Sequence, residues 1–244
     1  ALGCYASVAI TAVTAQNTLG VRSICKVTPG VVADQIAAVM DDLHPQAIKV
    51  GMVNDAETIR AIATTIRRYP LPPMIIDPVM VSTSGSRLME PDALSLFQAT
   101  LLPLSSLLTP NIPEAELLAG RSIHGLEDMK AAARQILQMG PKAVLVKGGH
   151  GQGREKTDLL LIDGSFHTFS SATISTRNTH GTGCTLSSAI ASFVARGQGI
   201  CEAVASAKAY LYEALRAGAD VSVGEGHGPV NHFYDPQPLI LTEQ

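Results

Sequence analysis

Short apolar runs alternate with helix-like stretches along most of the chain, and this alternation limits the possible folds more than any other feature. The runs that predict strands are residues 7–15, 47–53, 74–81, 105–111, 142–149 and 158–164. Apolar side chains at helical spacing occur in residues 31–43, 55–68, 91–101, 113–119, 125–139 and 200–217. Strands and helices that alternate in this way form parallel βαβ units. The sequence therefore predicts an α/β fold.

The composition fits one large buried sheet. Hydrophobic residues make up 46% of the 244 residues and aromatic residues only 4%. Ala, Val, Ile and Leu dominate, which is typical of a parallel sheet covered by helices on both faces. Because no internal repeat, low-complexity tract or linker divides the chain, we expect a single domain over residues 1–244.

Charge, hydropathy and cysteine spacing exclude several classes of protein. The net charge is -3 and the basic residues form no stripe, so a nucleic-acid partner is not expected. No apolar run reaches the ~20 residues of a membrane span. The cysteines form no C-x-x-C pair, which argues against a zinc site or a disulfide framework and favours a reducing, cytoplasmic location. They are Cys4, Cys25, Cys184 and Cys201.

Polar residues follow the ends of several predicted strands. In an open α/β sheet, ligands bind outside the carboxyl ends of the strands. We therefore expect these strand ends to converge on one cleft. They are Gln16-Asn17, Met52-Val53-Asn54, Asp77-Pro78, Thr109-Pro110-Asn111 and Lys147-Gly148-Gly149-His150.

A glycine turn leads into a cysteine where a helical pattern begins, in the sequence TRNTHGTGCTLSSAIASFVARG. Backbone N–H groups of Gly181, Thr182 and Gly183 can approach an anion there, and the helix dipole favours negative charge. The same field favours the thiolate form of Cys184. A tight turn with a small buried cysteine is the alternative, and the polar residues before the turn favour a functional site.

Carboxylates near two strand ends suggest a magnesium site. Asn111 and Glu114 are three residues apart, and an amide oxygen and a carboxylate are suitable ligands for Mg²⁺. Taken alone, the spacing fits an N-cap Asn with a first-turn Glu better. Asp77 can serve the metal or the substrate, or it can be a turn residue before proline. The Ser/Thr/Gly-rich residues 82–87 form either a flap over the cleft or a surface connection.

Three further residues are candidates for contacts with substrates. Lys147 precedes two glycines and can meet a phosphate, or it can be a surface lysine. Gln16 can hydrogen-bond a heterocycle or only end a strand, and Met52 is more typical of a core. The chain has neither a Walker A sequence nor G-x-G-x-x-G after a first strand, so nucleotide binding would need another scheme.

Seven segments in order resemble one family. They are TAQNT, KVGM, DPVMVSTSG, LTPNIPEAELL, VLVKGGH, NTHGTGCTLSSAIA and GHGPVNHF. In this combination, across roughly residues 1–234, the chain is similar to the hydroxymethylpyrimidine/phosphomethylpyrimidine kinases of thiamin biosynthesis. These belong to the ribokinase-like superfamily, in which the sugar kinases carry Asp at the position of Cys184. The resemblance implies a three-layer αβα sandwich around a mostly parallel sheet.

The resemblance also implies an activity. We expect ATP-dependent phosphorylation of 4-amino-5-hydroxymethyl-2-methylpyrimidine, and then of its monophosphate to the diphosphate, with Mg²⁺ as cofactor. By resemblance, Cys184 is the general base and the turn from Gly181 through Thr182 to Gly183 is the anion hole. The implied nucleotide contacts are Lys147, Asn111 and Thr179, and the implied metal-side residues are Asp77 and Glu114. The implied pyrimidine contacts are Gln16, Met52 and Val79. A cytoplasmic homodimer is implied as well.

The chain departs from the family pattern at two places. The family begins with a strand and a glycine-rich turn containing an Asp, and residues 1–18 contain no match to them. We therefore expect a missing segment before residue 1, and the stretch GQGREKT after His150 is short.

Other activities compete with this interpretation. A pyridoxal/pyridoxine kinase of the same branch is one. A cysteine-nucleophile enzyme, with His180 as the base for Cys184, is another. The third is a binding protein without catalytic activity.

Overall fold

A computed structural model of the chain describes residues 1–53, 55–80, 89, 91–149 and 153–241. Residues 82–87, proposed above as a flap or a surface connection, lie outside these ranges, as do Asn54 and His150. No helix in the described part of the chain is long and apolar enough to cross a membrane.

In the described residues, the central sheet has six strands in the order in which they occur along the chain. They are β3 (Ile48–Val50), β4 (Met74–Ile76), β5 (Leu107–Leu108), β6 (Ala143–Val146), β7 (Glu155–Ile162) and β8 (Ser165–Ala172). The three pairs from β3 to β6 are parallel, whereas β7 pairs antiparallel with both β6 and β8. The α/β prediction is confirmed, but the strictly parallel βαβ pattern ends at β6.

Seven helices in the described residues cover the sheet. They are α1 (Pro29–Asp42), α2 (Ala56–Ile66), α3 (Pro91–Thr100), α4 (Ile112–Ala119), α5 (Leu126–Leu137), α6 (Thr182–Ala195) and α7 (Ile200–Gly218). Met74 and Ile76 of β4 point to the core formed with α1 to α5, while Ile75 points to the core formed with α6 and α7. All three side chains are fully buried, at roughly 1.5–3 kcal/mol each. The sheet is therefore the middle of three layers.

The first predicted strand is not part of this sheet. Strand β1 (Ala12–Asn17), which overlaps the predicted residues 7–15, pairs antiparallel with β2 (Gly20–Lys26) in a separate two-stranded sheet. Every residue of β2 is exposed, so no buried face indicates this strand in the sequence. The expectation that residues 7–15 belong to the main sheet is wrong, because the apolar residues of the hairpin are not packed between helices. Gln16 consequently lies on the hairpin rather than at the end of a core strand.

Candidate active site

Asp77 and Lys147 form a buried ion pair where two strands of the central sheet end. Asp77 follows β4, Lys147 follows β6, and Lys147 Nζ lies 2.6 Å from Asp77 Oδ1. The two side chains are only 3% and 12% exposed. Thr109, which follows β5, donates its hydroxyl to the same Asp77 oxygen at 3.2 Å. The expected convergence of strand ends is therefore present at β4, β5 and β6.

The glycine turn before α6 packs directly against this ion pair. A Cβ atom on Gly183 would lie 3.3 Å from Lys147 Nζ and 3.7 Å from Asp77 Oδ2. Ser187, one turn further along α6, donates its hydroxyl to Asp77 Oδ2 at 3.4 Å. The first turn of α6 and the Asp77–Lys147 pair therefore form one site, and a side chain at position 183 would crowd the Lys147 ammonium group.

The start of α6 combines a left-handed glycine with the first backbone N–H groups of a helix. Gly181 is the N-cap residue with φ 80°, a left-handed conformation that favours glycine, and it offers no side-chain cap. The first N–H groups of a helix have no partner within the helix, and here they carry the positive end of a 14-residue dipole. Cys184 lies in this first turn and is exposed. The alternative of a small buried cysteine is therefore wrong.

Asn111 and Glu114 form a capping box at the start of α4. Asn111 Oδ1 accepts the Glu114 backbone N–H at 2.9 Å, and Glu114 Oε2 accepts the Asn111 backbone N–H at 2.8 Å. This is the arrangement that the local sequence favours. Asn111 also forms a parallel bridge with Lys147, whose N–H donates to the Pro110 carbonyl at 2.8 Å. The capping box is thereby held beside the ion pair.

Glu114 is a carboxyl group whose ionisation is unfavourable in this site. Burial raises the pKa of Glu114 from 4.5 to about 7, and the negative charge of Asp77 adds to that rise. The positive charge of Lys147 and hydrogen bonds from the backbone of Asn111 and Met80 oppose it. The positive charge and hydrogen bonds around Glu114 do not offset its burial next to a second carboxylate. A cation bound here would stabilise the ionised form of Glu114.

The donor set fits magnesium only together with another ligand. Asp77 and Glu114 supply carboxylate oxygens, which Mg²⁺ prefers. Within the described residues, His, Cys, Asp and Glu side chains form no group of three or more that could hold a metal ion. Mg²⁺ is usually bound by one or two carboxylates plus substrate phosphates, so the donor chemistry here suits a metal that arrives with a nucleotide.

The three predicted pyrimidine contacts lie on different elements. Val79 follows Asp77 by two residues and is half-buried, as is Met52, which follows β3. The Met52 carbonyl accepts the Thr11 hydroxyl at 3.1 Å, which ties the start of the hairpin to the sheet. Gln16 is exposed and pairs with Val21 beside a register shift in β1. Among the described residues, Gln16 forms no hydrogen bond with Asp77 or Lys147.

Thr179 and His180 precede the glycine turn and are both exposed. The Thr179 carbonyl accepts the Thr182 N–H at 3.3 Å, and the His180 N–H donates to the Gly228 carbonyl at 3.0 Å. Asn178 is a positioning residue that sequence reasoning missed. Its buried amide donates to the carbonyl of Gly218, the last residue of α7, at 2.6 Å and to the Val221 carbonyl just after the helix at 2.7 Å. Because these partners lie some 40 residues away and are backbone atoms, no local pattern indicates them.

Comparison with known proteins identifies close sequence relatives. The profile of a family described as phosphomethylpyrimidine kinase matches residues 1–231. The hydroxymethylpyrimidine/phosphomethylpyrimidine kinase of Rhizobium meliloti (strain 1021) is 48% identical over 235 residues, which cover 96% of this chain and 88% of that protein. Bifunctional thiamine biosynthesis proteins of Geobacter sulfurreducens and Arabidopsis thaliana also match, and the chain spans 47% of the length of each.

Two solved structures are similar in fold. A phosphomethylpyrimidine kinase from Clostridium difficile 630 has a TM-score of 0.79 and 42% identity, with 88% of each chain covered. An ADP complex of Bacillus subtilis pyridoxal kinase has a TM-score of 0.84 and 28% identity, covering 92% of this chain and 85% of that chain. Fold similarity does not separate the two kinases, whereas sequence identity is higher for the first.

Proposed function

The chain belongs to the phosphomethylpyrimidine kinase family, and on that premise we propose that it phosphorylates 4-amino-5-hydroxymethyl-2-methylpyrimidine in thiamin biosynthesis. ATP is the phosphoryl donor. The hydroxymethyl group is the first acceptor, and the resulting monophosphate is the second. The relative that carries both activities in its name matches 96% of this chain, which supports assigning both steps here.

One observation carries the proposal: Lys147 Nζ, Asp77 and Gly183 meet at the N-terminus of α6. Phosphoryl transfer needs little covalent chemistry from a protein and depends mainly on positioning and neutralisation of charge. Lys147 and the N–H groups of the glycine turn provide positive potential at one place. This supports a role for the turn as the hole that holds the transferred phosphoryl group.

Cys184 acts as the general base in the first transfer. As the substrate oxygen attacks the γ-phosphorus, its proton passes to Cys184 Sγ, and the bond to the β-phosphate oxygen breaks. The exposed position of Cys184 in the first turn of α6 supports this role, because the thiol is accessible to a substrate held at the glycine turn. In the second transfer, a phosphate oxygen replaces the alcohol, and at neutral pH it carries little or no proton to remove.

Asp77 and Glu114 hold the magnesium side of the site, and Asn111 and Thr179 contact the nucleotide together with Lys147. When bound, Mg²⁺ neutralises negative charge on the nucleotide phosphates. The under-compensated Glu114 carboxyl beside Asp77 supports this assignment, since a cation would favour its ionised form. The capping box gives Glu114 a fixed direction even without a ligand.

The pyrimidine ring binds between Met52 and Val79 and is selected by Gln16. The half-buried apolar side chains of Met52 and Val79 follow neighbouring strands β3 and β4, which suits contact with a flat heterocycle. Gln16 carries an amide that can pair with ring nitrogen and amino groups. The hydrogen bond from Thr11 to the Met52 carbonyl ties the start of this hairpin to the end of β3, which supports a contact of Gln16 with the same ring.

The protein acts as a homodimer of single kinase domains in the cytoplasm. Large apolar side chains are exposed on the hairpin and the segment before it, which supports an interface there. They are Tyr5, Val8, Ile10, Val13, Leu19, Val21 and Ile24. The four cysteines are free, in keeping with a reducing compartment. Light scattering with an Ile24→Lys variant tests the dimer: the variant should be monomeric and the original chain dimeric.

A pyridoxal kinase is the second candidate, because the fold of this chain is as similar to the B. subtilis pyridoxal kinase as to the phosphomethylpyrimidine kinase. A coupled assay of ADP release separates the two functions. The pyrimidine, its monophosphate and pyridoxal are supplied in turn with ATP and Mg²⁺. We expect release with the first two compounds and little with pyridoxal. Release with pyridoxal alone would support the second candidate, and no release with any compound would contradict a kinase function.

A further inference from the structure

A second buried ion pair lies next to the phosphate-binding lysine. Asp158 of β7 is 5% exposed, and its Oδ2 lies 2.6 Å from Lys208 Nζ on α7. Lys208 also donates to the Lys156 carbonyl at 3.1 Å, and its side chain is only 12% exposed. A buried acid–base pair by itself adds little to stability, so the other contacts of Asp158 show what the pair does.

The remaining oxygen of Asp158 holds a backbone group of the site. Asp158 Oδ1 accepts the N–H of Gly148 at 2.8 Å. Gly148 directly follows Lys147, and a Cβ at this position would overlap the Thr157 carbonyl of β7. The backbone therefore passes very close to β7 here, and the carboxylate of Asp158 occupies the place where the Gly148 amide needs an acceptor.

The segment after β6 is consequently held from both sides. On the β5 side, the Lys147 N–H donates to the Pro110 carbonyl at 2.8 Å. On the β7 side, the Gly148 N–H donates to Asp158. Two fixed successive amides orient the peptide between Lys147 and Gly148, and this peptide sets the direction of the Lys147 side chain toward Asp77. Lys208 balances the charge of Asp158, so the hydrogen bond to Gly148 places no unpaired anion beside the phosphate site.

We propose that Asp158, balanced by Lys208, is a positioning residue that orients Lys147 and Gly148 toward the phosphates of the nucleotide. The proposal rests on the proposed function, because it assigns the nucleotide to Lys147. It deepens that function because it extends ATP recognition to β7 and α7, two elements that carry none of the residues assigned above. Asp158 touches neither the pyrimidine nor the reacting atoms in this scheme.

Two double variants separate positioning from charge. Asp158→Asn/Lys208→Met removes both charges but keeps an oxygen that can accept the Gly148 N–H. Asp158→Ala/Lys208→Met removes both charges and the acceptor. Calorimetry with ATP and with the pyrimidine gives a dissociation constant for each ligand. Replacement of both partners of a buried pair by neutral groups is well tolerated, which makes the Asn variant the matched control.

The loss should appear only in the Ala variant and only for ATP. Without an acceptor the Gly148 amide can turn away, and restoring its orientation in the ATP complex should weaken ATP binding by about tenfold, whereas the Asn variant should stay within about threefold of the original chain. Pyrimidine binding should change less than about twofold in both. Equal ATP binding by the two variants, or equal losses for ATP and pyrimidine, would overturn the proposal.

Two controls keep the result decisive. Circular dichroism checks that each variant is folded at the temperature used. If Asp158→Ala/Lys208→Met does not fold, Asp158→Ser/Lys208→Met replaces it, because its shorter side chain reaches less far toward the Gly148 amide, and the same ATP-selective loss is expected. Binding does not require turnover. A chain that binds ATP but does not phosphorylate the pyrimidine would thus contradict the proposed function and leave this test valid.

Discussion

Lys147 Nζ and Asp77 Oδ1 lie 2.6 Å apart, and the two residues are 70 positions apart in the sequence. The pair joins the ends of β4 and β6 and lies against Gly183 of the glycine turn. The residue proposed for the metal, Asp77, therefore lies next to Lys147 and Gly183, which are proposed to bind the phosphoryl group. A ligand that binds Lys147 must compete with Asp77 or bind beside it, and a cation at Asp77 would make that easier.

Removing one partner of this pair should be costly. In Lys147→Met, Asp77 remains as a buried anion without its counter-ion, so the free energy of unfolding should fall by about 3–5 kcal/mol. Chemical denaturation measures the loss. Arg216→Met, which breaks an exposed pair with Glu213 on α7, is the control and should leave the free energy of unfolding nearly unchanged. Similar changes in both variants would contradict a special role for the Asp77–Lys147 pair.

Glu114 should make stability depend on pH. Its folded-state pKa of about 7 lies above the 4.5 of the unfolded chain, so the folded state holds the proton more tightly between these values. The stabilisation is complete below pH 4.5 and is lost as pH rises through 7. Glu114→Gln keeps an acceptor for the capping box but does not titrate. The original chain should therefore lose up to about 3 kcal/mol relative to this variant across that window.

Magnesium should reduce that loss in the original chain. Denaturation curves at pH 8 with and without Mg²⁺ and a non-hydrolysable ATP analogue measure the effect. Stabilisation should be smaller in Glu114→Gln, and turnover of this variant should need more Mg²⁺, with pyrimidine affinity little changed. Glu127→Gln, exposed on α5, is the matched control. The same Mg²⁺ dependence in Glu114→Gln and in the original chain would remove Glu114 from the metal side.

Gln16 should affect the ring and not the nucleotide. Gln16→Ala should weaken pyrimidine binding by roughly tenfold, since a polar contact of the substrate is lost, while ATP binding stays within about twofold. Ser23→Ala, on the paired strand of the same hairpin, controls for changes in the hairpin itself. Calorimetry that shows equal losses for both ligands, or equal losses in both variants, would count against ring selection by Gln16.

Much of the fold follows from sequence patterns, and the exceptions have physical causes. Strands β4 to β6 are apolar on both faces, which is why continuous apolar runs predict them, and β3 differs only in Lys49. Strand β2 exposes all of its residues, and β8 is largely polar, so neither carries a buried pattern. The turn between β7 and β8 did carry a signal. Asp163 and Gly164 both have positive φ, and Asp-Gly is the typical sequence of such a two-residue hairpin turn.

The site was predictable where a local spacing or the strand-end rule applies. Asn111 and Glu114 are close in sequence, and their capping box follows from spacing alone. The meeting of Asp77 and Lys147 follows from the rule that ligands gather at strand ends, whereas the contact of Gly183 with this pair does not, because Gly183 begins a helix. Asn178 and Asp158 were missed because their partners are distant, and a single Asp before an apolar run reads as a strand boundary. The roles of Asn178 and Asp158 come from hydrogen bonds with backbone groups that are distant in the sequence, and their residue types alone do not indicate them.

The role of Cys184 is tested first by three substitutions at this position. General-base assistance is worth about 10²–10⁴-fold in rate, so Cys184→Ala should slow transfer to the hydroxymethyl group by that range while ATP still binds. Cys184→Ser should be similarly impaired, because a serine hydroxyl is not a base near neutral pH. Cys184→Asp should recover part of the rate. Cys25→Ala, which removes an exposed cysteine from the hairpin, should keep full activity.

The most direct measurement is a single-turnover experiment on Cys184→Ala, with the pyrimidine and with its monophosphate as acceptor. A phosphate oxygen needs no base at pH 8, because its second pKa is about 6. The rate with the alcohol should therefore fall by about 10²–10⁴-fold, and the rate with the monophosphate should fall by less than about tenfold. A near-normal rate with the alcohol, measured where chemistry limits the rate, would contradict the role of Cys184 as the base that the phosphate-binding turn activates.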